Sequence, residues 1–396
     1  MTGLRRRFNN DLLPYQIVMA VTAGAIGGII AVLGELRDEF GFSETSIGII
    51  VAAGFLASFA AQAGLARFAD RGYGRQMATI GVAVSALSLL VMVFADDVLT
   101  WSLSRAALGF GAGITIPGLR RAATVLDASN VGENLGRLIV GEVVGFIFGP
   151  VISAAFVVVG GIRAPFIAFA VGMLLFLPFV ARLPADRGEL DESRRATSFD
   201  LLKYRRLQGA LILVLGYFVL IGAFESVIPV MFQDRGGSAL ETGIAFTVLA
   251  IPIALVSKFA GRTADRLGPP RVATAGFVFV GAVTMTFGFL PGLLWPALVM
   301  LPIGLGDAFG LAAAQAAVSR SVPQHRQAGA LGLMGAAEVL GAGLAAIPAA
   351  ALYDRAGAET TWVAVGLIVL ISVALAQVRL HGTEPVIGIG PGSTSS

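Results

Sequence analysis

ARFADRGYGRQ (residues 66–76) returns later in the chain as GRTADRLGPPR (261–271), which places Asp70 and Asp265 195 positions apart. A second pair of landmarks keeps almost the same offset. GEVVGFIFGPVISAA surrounds Glu142 and AEVLGAGLAAIPAAA surrounds Glu338, 196 residues further on. Self-similarity at one long offset identifies duplicated structural units. The chain of 396 residues therefore reads as two related halves.

What the halves are made of follows from composition. The chain is 56% hydrophobic and 13% charged, with a mean hydropathy of +0.83. A water-facing domain carries roughly 25% charged residues, so most of this surface must face lipid. Backbone groups in lipid have to be paired within the chain, which leaves helices or closed barrels. Barrel strands alternate apolar and polar residues, whereas LILVLGYFVLIGAF (211–224) and TWVAVGLIVLISVALA (361–376) are apolar throughout. Runs of about 20 apolar residues predict helices over 15–36, 45–67, 76–95, 98–119, 135–159, 163–182, 207–232, 241–262, 271–290, 293–319, 327–352 and 360–380.

The expected fold is an all-α membrane protein with twelve transmembrane helices in two pseudo-symmetric six-helix bundles. The bundles span 15–182 and 207–380, joined by a polar linker, 183–206, with an N-terminal segment 1–14 and a Gly/Pro/Ser-rich, disordered tail 381–396. With the N-terminus inside, 23 Lys and Arg fall on the cytoplasmic side and 4 outside, with Arg105 inside a span. By the positive-inside rule both termini are cytoplasmic. The same bias explains the net charge of +3 without nucleic acid. The basic start leads into a full-length span and reads as retained, not as a signal peptide. Localisation in a bacterial inner membrane follows.

Several chemistries are excluded. There is no cysteine, and the two histidines, His325 and His381, lie outside the apolar runs. No metal site, cofactor or triad can be assembled, and no phosphate-binding Gly-x-x-x-x-Gly-Lys-Ser/Thr loop is present. The chain reads as no enzyme and no nucleotide-driven pump, so its energy comes from ion or substrate gradients.

Three motifs carry a resemblance to the major facilitator superfamily, over about residues 15–380. ADRGYGRQ and ADRLGPPR resemble its loop 2–3 signature. The first copy departs from it at Ala66 and by one extra residue between Arg71 and Gly74. Physically, a tight turn holds a carboxylate near a helix N-terminus while arginines pair across the halves. Asp70, Arg71, Arg75, Asp265, Arg266 and Arg271 are thus gating candidates; the plainer reading is that they only set topology. SRAALGFGAG in helix 4 is similar to the family's arginine-glycine motif, which the resemblance associates with proton transfer at Arg105. An arginine inside a span costs roughly 3 kcal/mol on insertion scales, so it should face a cavity or a partner. In helix 5, Gly136, Gly145 and Gly149-Pro150 resemble the family's antiporter motif. The small residues permit close helix packing and Pro150 permits a bend. That motif implies export.

Four acids fall inside apolar runs, and such acids are functional candidates by default. Asp307, near the middle of helix 10, is the preferred proton carrier or cationic-substrate contact, followed by Glu225. Glu142 lies on one helix face with Gly145 and Gly149 and is expected to pair with an arginine of the other half; Glu338 is its counterpart. Both are assigned to gating. Glu35, beside Arg37, Asp38 and Glu39, is expected to be solvated. Phe55, Phe59, Phe146, Tyr217, Phe218, Phe224 and Phe309 could line a cavity favouring lipophilic cations, although packing is the commoner use of such residues.

The resulting expectation is a monomeric secondary transporter that exchanges protons for hydrophobic or cationic small molecules and drugs by alternating access. The alternative is a carrier of the same fold for a metabolite, sugar or siderophore.

Overall fold

The structure is a computed structural model, which describes residues 12–65, 68–126, 131–183, 198–323 and 326–380. The tail, most of the linker, the first eleven residues, both histidines and the side chain of Asp70 lie outside the described residues. The first half holds α1 (Leu13–Phe40), α2 (Glu44–Leu65), α3 (Gly74–Met92), α4 (Val98–Leu126), α5 (Val131–Gly160) and α6 (Ala164–Ala181). The second holds α7 (Arg205–Asp234), α8 (Ala239–Leu267), α9 (Pro269–Thr286) and α10 (Leu294–Ser319). A last helical run, Gln327–Leu380, is broken at Gly357 (φ 75°, ψ −178°) into α11 (327–356) and α12 (358–380). At about 1.5 Å per residue its 54 residues are far too long for one crossing of a ~30 Å hydrocarbon core, and the chain reverses around Gly357.

These twelve helices match the expected spans to within a few residues. The larger differences are at α4 and α8, which continue to Leu126 and Leu267 because their polar last turns can extend into water. Several starts are fixed by side-chain caps. Asp97 accepts the Thr100 backbone N–H at 3.0 Å ahead of α4, and Ser238 and Glu241 form a capping box at α8. Such caps satisfy donors that the first helical turn leaves free.

Both repeated turns place a glycine at positive φ, Gly72 at 92° and Gly268 at 93°, where glycine is favoured, but their ψ values of 3° and 121° differ, so the two turns run differently. The extra residue of the first copy is absorbed in a π-helical turn, Ala69–Tyr73.

Lipid is as apolar as leucine, so burial inside a bundle gains little transfer energy, and close backbone packing with interhelical hydrogen bonds must hold it together. The middle of α4 shows how this works. Gly109 and Gly113 press on Gly54 and Ser58 of α2, while Gly111 and Gly118 press on α3 at Gly81 and at Gly74 and Ala78. Each half has its own core. Trp101 meets Phe166 edge-on at 5.2 Å in the first, and Phe224, Phe287 and Trp362 cluster within 6.0 Å in the second.

The halves meet most closely towards the face with few arginines, where α1 ends and α2 begins. Gly34 abuts the Pro229 carbonyl, Gly48 abuts Ala346 and Ile347, and Gly243 abuts Pro150. Further towards the arginine-rich face, the cross-half neighbours of the described glycines are side chains: Phe55 and Leu56 at Gly343, and Gln62 at Gly335. The molecule is closed at its arginine-poor face.

Candidate functional site: a charged seam between two bundles

Arg105 is buried at 3% exposure, and its Nη2 stands 3.7 Å from Oε2 of Glu225 on α7. The pair joins the two halves. It exists because α2 offers bare backbone on the way: the Arg105 side chain lies over Gly54, where a Cβ would come within 3.0 Å of Cζ. Counting about 1.5 Å per residue from Val98 and from Asp234, the pair sits roughly 10–14 Å below the arginine-poor helix ends. The Glu225 Oε2 atom has no hydrogen bond. Nothing else on the described residues is seen to share its charge.

Asp307 is 1% exposed, and neither of its carboxyl oxygens has a hydrogen bond of standard geometry. The interacting polar neighbour is the Tyr217 phenol of α7, itself stacked on Phe277 of α9 at 4.7 Å. Asp307 therefore faces the interior of its own half. Glu338, half-buried on α11, lies in the electrostatic range of Arg120 and Glu142 of the other half and of Tyr217.

Glu142 differs from expectation. It pairs with Arg120 at 3.0 Å, within its own half and not across the seam. The carboxylate extends from α5 to the neighbouring end of α4, where Arg120 lies. Asp265 likewise pairs with Arg320 of its own half. Arg71 lies 5.4 Å from the Phe68 ring, Arg75 is half-buried, and Arg266 and Arg271 are exposed.

The helix-5 motif is divided between three environments. Gly145 and Gly149 press on the α1 backbone at Ala20 and Gly24, Pro150 meets Gly243 of α8, and Gly136 faces open space. Thr247 of α8 donates to the Ile147 carbonyl at 3.0 Å, one turn from Pro150. The α1 partner of this motif, AGAIGGII (23–30), was visible as small residues at helical spacing but was not singled out. Two further residues escaped the sequence reading. Gly54 is one. Glu35 is the other: it is not simply solvated, because its Oε1 accepts the Ala239 backbone N–H at 2.8 Å across the seam.

The arrangement of two six-helix bundles agrees with what known proteins show. The family model "Major Facilitator Superfamily" matches residues 17–237 and 210–394. The chain belongs to this family. Among curated members, it is 26% identical to the tetracycline resistance protein, class C, of Escherichia coli, covering 94% of this chain and 96% of that protein. It is 24% identical to the multidrug resistance protein MdtG of Enterobacter lignolyticus (strain SCF1), covering 68% and 66%. Among solved major facilitator folds, the nucleoside transporter NupG aligns with a TM-score of 0.74 at 15% identity, over 94% and 100% of the two chains. A bacterial homologue of the human lysosomal transporter Spinster aligns at 0.77 and 16%, over 94% and 97%. Those structural likenesses establish the fold. The protein is a multi-pass membrane transporter of the superfamily, and such transporters act on small-molecule substrates.

Proposed function

We propose that this member of the superfamily is a monomeric, proton-coupled exporter of hydrophobic or cationic small molecules, with its arginine-rich face and both termini in the cytoplasm of a bacterial inner membrane. The observation that carries the reading is the Arg105–Glu225 pair, buried at 4% side-chain exposure on both sides of the seam. Alternating access rocks one half against the other around such a site. Opening the arginine-poor, outer face draws Glu225 away from Arg105. An unpaired buried carboxylate costs several kcal/mol, so something positive must replace the guanidinium.

Two replacements fit an antiporter. From the inside, a cationic substrate with an apolar body takes the place of Arg105 on Glu225 and permits outward opening. From the outside, water delivers a proton that forms an O–H bond on Glu225, and the uncharged carboxyl permits the return. On closure Arg105 again approaches, the O–H bond breaks, and the proton leaves to cytoplasmic water. Glu225 suits this role better than Asp307, which is enclosed by its own half. Asp307 is kept as a second proton site, with Glu142, Glu338 and the turns at Asp70 and Asp265 forming the inner gate. Export as the direction is supported by Gly145, Gly149 and Pro150 and by the resistance proteins among the relatives.

The test is transport in proteoliposomes with an imposed pH gradient and dye-like cations as substrates. Efflux should follow the gradient, and Glu225→Gln should abolish gradient-driven accumulation and weaken counterflow of the cationic dyes. Efflux indifferent to the gradient removes proton coupling; movement of neutral or anionic compounds alone removes the cationic substrate class.

A further inference from the structure

The geometry points to an extracellular gate built from Glu35, Arg37, Asp234 and Tyr353, in which the two ends of the closing ion pair, Arg37 and Asp234, each keep a second partner on their own half. It goes beyond the proposed function, since it rests on alternating access and the membrane orientation and not on proton coupling or on any substrate.

At the arginine-poor rim, Arg37 Nη1 of α1 bonds Asp234 Oδ1 of α7 at 2.7 Å. Tyr353 of α11 donates to the other Asp234 oxygen at 2.7 Å. About half a turn inward, Glu35 caps the α8 N-terminus through Ala239 at 2.8 Å. Two of these three contacts, Arg37–Asp234 and Glu35–Ala239, cross the seam directly above the backbone crossings at Gly34 and Gly48. They are the most superficial polar ties between the halves that the described residues show.

The Arg37–Asp234 tie is duplicated locally on both sides, and the Glu35–Ala239 tie on the α8 side. Arg37 also holds Asp38 at 2.7 Å and Glu44 at 3.1 Å, both in its own half. Asp234 keeps the Tyr353 hydroxyl in its own half when Arg37 leaves. The α8 N-terminus keeps its Ser238–Glu241 capping box when Glu35 leaves. Opening the rim therefore strands neither Arg37 nor Asp234, in contrast to the Arg105–Glu225 pair beneath it. The Arg37 side chain is 11% exposed and that of Asp234 is 38% exposed, so the tie is partly water-screened and its strength is modest. A weak tie with resting places on both sides suits a gate that must open in every cycle, while the deeper pair decides whether it is allowed to.

The cysteine-free chain allows a direct test. Spin labels at Glu39→Cys and Asp354→Cys, both exposed rim positions on opposite halves, report the outer separation in full-length protein. Asp234→Asn should raise the long-distance population about two- to fivefold, and Asp234→Lys, which faces Arg37 with like charge, should raise it further. The exchange Arg37→Asp with Asp234→Arg should return the distribution towards that of the unsubstituted rim. Identical distributions in all four proteins, or an exchange no better than Asp234→Lys, overturn the gate. Because this readout needs neither substrate nor a proton gradient, failure of proton coupling leaves it unaffected, and its own failure leaves the coupling test intact.

Discussion

Arg105 reaches Glu225 by lying across Gly54, a residue of a third helix that contributes nothing to the pair except the absence of a side chain. A Cβ there would stand 3.0 Å from Cζ and 3.1 Å from Nε and Cγ, tight enough that the arginine side chain must give way. Gly54→Ala should push the guanidinium aside by a few tenths of an ångström, and Gly54→Val further. Gradient-driven efflux is expected to slow several-fold in the first and more in the second, with the protein still folded by thermal melting. Unchanged efflux from folded Gly54→Val would show that the route over Gly54 is dispensable.

Two glycines of the same helix-5 motif should respond with opposite signs. Gly149 leaves no room, since a Cβ would overlap the Gly24 backbone, whereas Gly136 meets nothing within 4 Å. Gly149→Ala is expected to destabilise by about 1–3 kcal/mol as overpacked sites do. Gly136→Ala removes backbone entropy from the unfolded chain and should stabilise by about 0.5–1 kcal/mol. Thermal unfolding in detergent reads both. Equal shifts would mean that the motif acts as a unit and not through its individual contacts.

Asp307 should show stability and function in conflict. A buried carboxyl without hydrogen-bonding partners of standard geometry costs free energy, and Asn keeps the shape without the charge. Asp307→Asn is expected to raise the melting temperature and to weaken proton-coupled efflux. A lowered melting temperature would argue instead that Tyr217 holds the ionised form in place.

The linker tie at Ser198–Lys203 has a pH dependence with a definite sign. The Arg326 guanidinium, 2.6 Å from Asp200, holds that carboxyl below the usual aspartate range. A depressed pKa means that the tie is fully present above the ordinary aspartate value near 4 and is lost as pH falls through the lower folded value. Limited proteolysis of the linker should therefore be flat from pH 8 to about 5 and accelerate only in stronger acid. Asp200→Asn should give the faster rate at every pH. Acceleration between pH 7 and 6 in the unsubstituted protein would place the titrating group elsewhere.

Much of the architecture was legible because bilayer thickness converts apolar run length directly into helices, and the Asp70–Asp265 and Glu142–Glu338 offsets converted helices into halves. Arg105 and Glu225 could be named separately because charge inside a span is rare. Their pairing could not, since sequence spacing says nothing about which face of α4 meets α7. The same limit hid Glu35. Among acidic neighbours at a helix end it resembles any solvated carboxylate until Ala239 arrives from the other half. Glu142 failed in the opposite sense: a partner was expected across the seam, but the arginine that it meets belongs to α4 of its own half.

Gly357 joins α11 to α12 with a single residue in a backbone conformation that is essentially glycine's alone. Two antiparallel helices linked by so little chain cannot turn independently. When α11 swings at the seam, α12 on the lipid-facing flank must follow like the far blade of a pair of shears. A fluorophore on α12, well away from any transported molecule, would then keep time with the cycle.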